Sequence, residues 1–305
     1  MPADVLIAGT GAMACLMAAR LAACGTSVSM FGAWPEGLEA IGKHGVRLID
    51  VDGAERAYPV RIAAIPDDCR DARYVLVLVK SWQTENRAQQ LAACLPPDAF
   101  VLTLQNGLGN LETLAAALGS DHVFQGVTTL GANLVAPGVV RSAGDGTINI
   151  GGSPDRLSPL TDLLRQAGFT VQIAADTRSL LWGKLVINAA INPLTAILRV
   201  PNGALLEIPA AATLMDAAAL EVAAVAAVLG IDLPYPDPIA AARDVARRTA
   251  RNRSSMLQDV ERRAPTEIDA ICGAVVRLGE QAGVPTPTNR VLWLLVQALT
   301  PSSEG

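Results

Sequence analysis

The sequence predicts a doubly wound α/β domain followed by an all-helical one. Three observations carry that expectation. Short, continuous apolar runs (Val5–Ala8, 74–79 and 100–104) alternate with helical segments through the first half of the chain. Continuous rather than alternating runs suit a parallel sheet covered on both faces. A glycine-rich turn, Gly9-Thr10-Gly11-Ala12-Met13-Ala14, joins the first run to the first helical pattern. From Asp176 on, helical periodicity replaces the strand signals.

The elements follow in order. After the glycine turn, residues 15–24 carry a helical pattern that Gly25 stops, and Val28–Phe31 is a second strand. Helical segments 82–95 and 108–118 alternate with the strands at 74–79 and 100–104, a β-α-β rhythm. After Asp121 the texture changes. Runs 123–130, 138–142 and 147–150 are split by Ala-Pro-Gly and Gly-Asp-Gly, and are expected to form an antiparallel meander closing the sheet. A helix (157–167) and a strand (170–173) complete this half. Helices are then expected over 177–199, 207–229, 237–262, 266–282 and 287–299. The breaks between them are Pro201-Asn202-Gly203, Gly230 with Pro234 and Pro236, Ala264-Pro265, and Gly283 with Pro285 and Pro287. The boundary falls near Asp176, giving a dinucleotide-binding domain over 1–175 and a helical substrate domain over 176–305.

Composition excludes several classes. The chain has 305 residues, 51% hydrophobic and 17% charged, with a net charge of −5. That balance, without any Lys/Arg run, argues against nucleic acid as a partner. Apolar stretches are interrupted, as by Glu221 within 217–229, so no membrane span is expected. The opening residues lack the basic region of a signal peptide. Five scattered cysteines without a C-x-x-C pair fit reduced thiols in a cytoplasm. Two histidines, His44 and His122, supply neither a histidine metal site nor a Ser-His-Asp hydrolase, and no metal is expected.

The glycine turn carries the first chemistry. Gly9 permits the tight turn, Gly11 lets backbone approach a pyrophosphate, and the helix N-terminus receives its charge. Ala14 takes the third place, where helix and strand pack closely. The alternative is a glycine-rich turn without a ligand. At the end of the second strand, an acid would hold the ribose of NAD and an arginine the 2′-phosphate of NADP. Phe31-Gly32-Ala33-Trp34 offers neither, and Glu36 comes late. Lys80 ends the run 74–79, where ligands sit in parallel sheets, and can neutralise a cofactor phosphate. Gln105-Asn106-Gly107 ends the next run. Asn106 is either a donor–acceptor toward a ligand or a turn former before Gly107.

The second chemistry lies in Trp182-Gly-Lys-Leu-Val-Ile-Asn-Ala-Ala-Ile-Asn-Pro193. At roughly 100° per residue, Lys184, Asn188 and Asn192 drift only about 40° per step and share one stripe of an apolar helix. Pro193 frees a carbonyl one turn earlier and is expected to kink the helix. The stripe is either a set of interhelical bonds with a snorkelling lysine or a substrate site. In the second case Lys184 is a proton donor whose pKa burial lowers, and the asparagines grip carbonyl, hydroxyl or carboxylate groups. Downstream, Ser254-Ser255-Met256-Leu257-Gln258-Asp259 and Thr266-Glu267-Ile268-Asp269 open helical segments. Each also passes as an ordinary helix start.

Taken together, these pieces resemble the ketopantoate reductase (2-dehydropantoate 2-reductase) family over nearly the whole chain. The matching segments are 9–14, 78–80, 105–107, 126–132 (GVTTLGA), 184–197 (KLVINAAINPLTAI), 201–203, 254–259 (SSMLQD) and 266–269 (TEID). The resemblance implies an N-terminal Rossmann-type domain and a helical C-terminal domain, 6-phosphogluconate-dehydrogenase-like, with the active site in the cleft. It implies NADPH-dependent reduction of a small 2-keto acid in pantothenate biosynthesis. Lys184 takes the catalytic role, with Glu267 near nicotinamide and substrate. Asn106, Asn188, Asn192, Asn202 and Ser255 bind substrate. Gly9, Thr10, Gly11, Ala12, Met13, Ala14, Lys80, Asn106, Ala132 and Glu267 meet the cofactor, Ala132 through its backbone. Gly32-Ala33 departs from the family's arginine, so NAD is not excluded. Other readings are a paralogue acting on another 2-keto acid and a nucleotide-binding regulator without turnover. The alanine-rich helices of the second half offer a face for a homodimer.

Overall fold

The computed structural model describes residues 5–50, 52–63, 70 and 72–299. It falls into two compact units. One comprises 1–79, 83–105 and 110–177, the other 80–82, 106–109 and 178–305. Two short pieces of the N-terminal half, one containing Lys80 and one containing Asn106, therefore belong with the helices.

The α/β unit runs β1 (Val5–Ala8), α1 (Ala12–Ala23), β2 (Val28–Phe31), α2 (Pro35–His44), β3 (Val46–Ile49), β4 (Glu55–Tyr58), β5 (Arg61–Ala63), β6 (Tyr74–Val77), α3 (Thr84–Ala92), β7 (Phe100–Thr103), α4 (Asn110–Leu118), β8 (Val123–Thr128), β9 (Ala132–Ala136), β10 (Val139–Ser142), β11 (Thr147–Gly151), α5 (Pro154–Gln166) and β12 (Thr170–Ala174). Its larger sheet has the order β12-β11-β8-β7-β6-β1-β2-β5. The central strand β1 pairs in parallel with β2 (Val5↔Val28) and β6 (Val5↔Tyr74). All four of its residues are buried, which is why it reads as a continuous apolar run. The strand order turns back at β1, and the crevice at such a switch point lies at the carboxyl ends of the strands.

The expected meander is corrected. β8 does pair antiparallel with β11 (Ile148↔Thr128), but β11 and β12 run parallel. β10 leaves this sheet. It pairs in parallel with β3 (Val140↔Leu48) within a separate sheet of order β4-β3-β10-β9. The apolar residues explain the choice. Val46, Leu48 and Val140 bury into the same core as α1, while β4 is largely exposed and β3 alternates. Such short, half-polar strands leave no continuous apolar signal in the sequence.

The helical unit contains α6 (Thr177–Leu198), α7 (Ala204–Glu207), α8 (Pro209–Val228), α9 (Pro238–Arg248), α10 (Ser255–Glu261), a π-helical turn (Asp269–Gly273), α11 (Ala274–Ala282) and α12 (Pro287–Leu299). α6 continues through Pro193. The expected helix 237–262 is two helices. The Asp237 carboxylate caps α9 by accepting from Ala240 N at 2.9 Å. After the α9 end, Ser254 Oγ caps α10 by accepting from Leu257 N at 3.0 Å. The expected start at 207 is likewise split, because Ile208 is held extended before Pro209. α6 and α8 are long and apolar enough to cross a membrane by composition, yet two thirds of the apolar window of α6 is buried in this unit. Val186, Ala190, Met215, Val222 and Val275 form its core.

Candidate active site

The cofactor candidate lies in the α/β unit. Gly9 follows β1 with φ +137°, and a Cβ there would stand 2.9 Å from Leu78 O. Only glycine satisfies both the backbone and the packing. The turn is fixed by Gly9 N donating to Phe31 O at 2.7 Å. Gly11 is the extended N-cap of α1, with no side-chain cap and open space where a Cβ would be. The first amides of α1 therefore have no side-chain cap, and such an uncapped helix N-terminus is suited to an anion. Thr10 is buried, and Ala12, Met13 and Ala14 open the helix. At the end of β2, a Cβ on Gly32 would meet Thr10 Cγ2 at 2.7 Å, whereas Ala33 is exposed. Ala132 opens β9 and is half-buried.

The helical unit assembles the other candidates. Lys184, Asn188 and Asn192 are all half-buried along α6, among the buried residues Leu185, Val186, Ala189, Ala190 and Ile191. Burial lowers the Lys184 ammonium to a pKa of about 8, against the opposing field of Glu267. Glu267 is itself buried, just before the π-helical turn. Its Oε1 accepts from Ser81 N at 3.2 Å, and its Oε2 from Asn106 Nδ2 at 3.1 Å. Lys80 Nζ lies 3.8 Å from Glu267 Oε2. The two strand-end residues and the downstream acid thus form one polar cluster.

Gly107 explains how Asn106 is held there. Its φ is +80°, and a Cβ would stand 2.5 Å from Ala270 O. The next amide, Leu108 N, donates to that carbonyl at 2.9 Å. The piece 106–109 is thereby pinned to the wide turn that follows Glu267. π-type turns of this kind recur at functional sites.

Asp259 is the residue that sequence reasoning missed. It is buried on α10, and Lys80 Nζ donates to its Oδ2 at 2.6 Å. Burial raises the Asp259 carboxyl, Lys80 pulls it back down, and the net direction is up. Burial draws Lys80 down, but Glu267 and Asp259 outweigh it and hold the ammonium above its usual value. A signal was available: Asp259 shares the buried face of α10 with Met256 and Val260, at helical spacing. An acid on that face needs a cation.

Ser254 and Ser255 separate. Ser254 is buried, and its Oγ pairs with Thr195 Oγ1 at 2.7 Å. Thr195 in turn donates to Asn192 O at 2.9 Å. Ser254 therefore ties α10 to the asparagine stripe of α6. Ser255 is exposed at the first position of α10. Asn202 is buried, and its Nδ2 donates to Thr249 Oγ1 at 2.8 Å. Its Oδ1 is buried with no hydrogen-bond partner among the described residues. Among those residues no cluster of three or more metal-ligating side chains occurs.

Comparisons with known proteins agree along the whole chain. Residues 5–155 match the family described as "Ketopantoate reductase PanE/ApbA", and residues 176–300 match "Ketopantoate reductase PanE/ApbA C terminal". The chain is 39% identical over 300 residues to a 2-dehydropantoate 2-reductase of Archaeoglobus fulgidus, covering 97% of each. A PanE/ApbA family ketopantoate reductase of Ralstonia eutropha superposes with TM-score 0.90 at 34% identity, covering 97% of each chain. A D-mandelate dehydrogenase, solved with NADH and anilino(oxo)acetate, superposes with TM-score 0.91 at 28% identity and 97% coverage of each.

Proposed function

The chain belongs to the ketopantoate reductase PanE/ApbA family, and from that premise we propose that it reduces 2-dehydropantoate (ketopantoate) to pantoate with NADPH, Lys184 serving as general acid. The product feeds pantothenate biosynthesis. The scattered free thiols Cys15, Cys24, Cys94 and Cys272 support a cytoplasmic setting. One observation carries the catalytic assignment. Lys184 is half-buried on a polar stripe with Asn188 and Asn192, and burial brings its pKa to about 8.

The chemistry follows from these groups. The pyrophosphate of the dinucleotide fits the Gly9–Gly11 turn and the N-terminus of α1. A reduced dinucleotide held there would supply the hydride that C2 of the keto acid receives. Lys184 Nζ holds its proton beside the keto oxygen and delivers it as negative charge develops there. A positive charge at that position stabilises the alkoxide before transfer. Asn188 and Asn192 orient the carboxylate and hydroxyl, which supplies part of the rate by positioning. Asn202 offers Oδ1, a buried acceptor, to a substrate hydroxyl, and Ser255 offers an exposed one. The field of Glu267, whose carboxylate Asn106 and Ser81 hold in place, keeps the ammonium of Lys184 charged against burial.

The test is direct. With NADPH and ketopantoate, the purified protein should show loss of the reduced-nicotinamide absorbance, and Lys184→Ala should abolish it. Failure with a panel of 2-keto acids and either cofactor would sink the enzymatic reading. A second reading has specific support. Gly32-Ala33 supplies no cation for a 2′-phosphate, and the D-mandelate dehydrogenase neighbour carries NADH. In that reading, another 2-keto acid is reduced with NADH. An NADH rate at or above the NADPH rate would favour it.

A further inference from the structure

Asn202 is 8% exposed, and the stretch that joins α9 to α10 holds it. Asn202 N donates to Asn252 O at 3.0 Å, and Gly203 N to Ala250 O at 3.1 Å. A Cβ on Gly203 would stand 2.6 Å from Ala250 Cβ, so glycine lets the two stretches lie this close. The same stretch reaches the polar stripe of α6. Ser254 Oγ pairs with Thr195 Oγ1 at 2.7 Å, and Thr195 donates to Asn192 O at 2.9 Å. Residues 249–254 therefore grip both Asn202 and the Asn192 end of the stripe.

Within that grip the direction of each hydrogen bond is fixed. Thr249 Oγ1 donates its one proton to Val245 O at 2.7 Å, since a carbonyl can only accept. The hydroxyl oxygen is left as an acceptor, and Asn202 Nδ2 donates to it at 2.8 Å. The reversed amide would set Oδ1 against an oxygen whose proton is already committed. Thr249 thus obliges Asn202 to present Oδ1, which is buried and has no hydrogen-bond partner among the described residues. A buried acceptor in that state favours a ligand that donates to it. Resting on the reading of Asn202 as a substrate contact, we infer that Thr249 is a positioning residue that sets specificity. Through Asn202 it selects 2-keto acids that carry a hydroxyl beyond the keto carboxylate. A carbonyl or second carboxylate at that place brings another acceptor and is refused. A methyl leaves Oδ1 unsatisfied, and a site built to bond a substrate hydroxyl discriminates against the analogue that lacks it.

Steady-state kinetics on a matched pair of acids tests this. Ketopantoate carries the hydroxyl, and trimethylpyruvate is the same acid with a methyl in place of hydroxymethyl. The wild type should favour ketopantoate in kcat/KM by about tenfold or more. Thr249→Val should raise the KM for ketopantoate by about tenfold while kcat holds, and should leave the KM for trimethylpyruvate in place. The preference then collapses. Thr249→Ser keeps the hydroxyl and should restore it. Should Thr249→Val unfold, Thr249→Ala must show the same split. A KM that rises equally for both acids makes Thr249 a structural residue and overturns the inference. So does a variant that keeps the wild-type preference. A wild type that reduces both acids equally well overturns the inference and leaves the reductase reading standing, whereas a wild type that reduces neither these nor any other 2-keto acid overturns both.

Discussion

Lys80 Nζ donates to Asp259 Oδ2 at 2.6 Å, and the same ammonium stands 3.8 Å from Glu267 Oε2. Asp259 therefore shares a cation with the carboxylate whose field acts on Lys184. Asp259→Asn keeps the shape and leaves the whole Lys80 charge to Glu267. The field that holds Lys184 protonated then weakens. The pH above which reduction declines should move downward, and kcat at pH 8 should fall several-fold, with little change in the KM for keto acid. Global stability should drop by about 1 kcal/mol, since the pair is partly exposed. A pH–rate profile decides the matter: an unmoved alkaline limb would leave Asp259 a structural residue only.

With Lys184 as the proposed general acid, its ionisation should set the pH dependence of the wild type. Reduction needs its charged form, so the rate should fall as pH rises through about 8. Oxidation of the hydroxy acid needs the neutral amine and should rise over the same range. Stability carries the matching signature. The folded pKa lies below the unfolded value of 10.5. Between the two, the unfolded chain binds more protons, so the contribution of this group makes stability increase with pH across that window. Lys184→Met should remove that slope and should not destabilise the protein at pH 7. Urea titrations at pH 7, 8.5 and 10 measure both.

Asn188 and Asn192 should separate from Lys184 in kinetics. Asn188→Ala and Asn192→Ala should each raise the KM for keto acid by about tenfold or more while leaving the Kd for the dinucleotide unchanged, because each loses one or two polar contacts worth roughly 1–3 kcal/mol. If instead melting temperature falls and KM does not move, the stripe serves helix packing. Isothermal titration with the dinucleotide provides the second arm.

Cofactor preference should respond to position 33 and not to position 32. Ala33 is exposed after β2, so Ala33→Arg places a guanidinium in solvent reach without strain and should raise the NADPH-to-NADH ratio of kcat/KM by about tenfold, the scale of one charge-assisted phosphate contact. Any side chain at Gly32 runs into Thr10, whose Cγ2 would stand 2.7 Å from a Cβ. Gly32→Arg should therefore weaken both cofactors together. Equal responses at the two positions would contradict this geometry.

The parts of the fold with strong periodicity were legible in the sequence. β1 and its neighbours are buried on both faces, and the glycine turn sits between strand and helix as its composition demands. β3, β4 and β9 were not legible. Their residues alternate or face solvent, and the parallel pairing of β3 with β10 joins segments far apart in the sequence, which leaves no local trace. The 237–262 error has the same origin: the polar stretch 249–254 interrupts a pattern that cap chemistry, at Asp237 and Ser254, marks more sharply than hydrophobicity. In the candidate site, the Lys184 stripe was readable because polar groups stood out on an apolar helix. Asp259 was not singled out. Its place on the apolar face of α10 was the local signal, but the cation that explains it, Lys80, lies 179 positions away in the chain.

The pinning of 106–109 by Gly107 bears on modularity. The helical half looks like a cassette that recombination or protein engineering could move between dinucleotide-binding scaffolds. It is not one. A chain cut at residue 176 would lose the Ser81 amide and the Asn106 side chain, which together satisfy both oxygens of Glu267. It would also leave Asp259 without its lysine. Any chimera must therefore inherit two short pieces from the far side of the splice, so the two halves of this enzyme are constrained to be exchanged, and to diversify, as a matched pair.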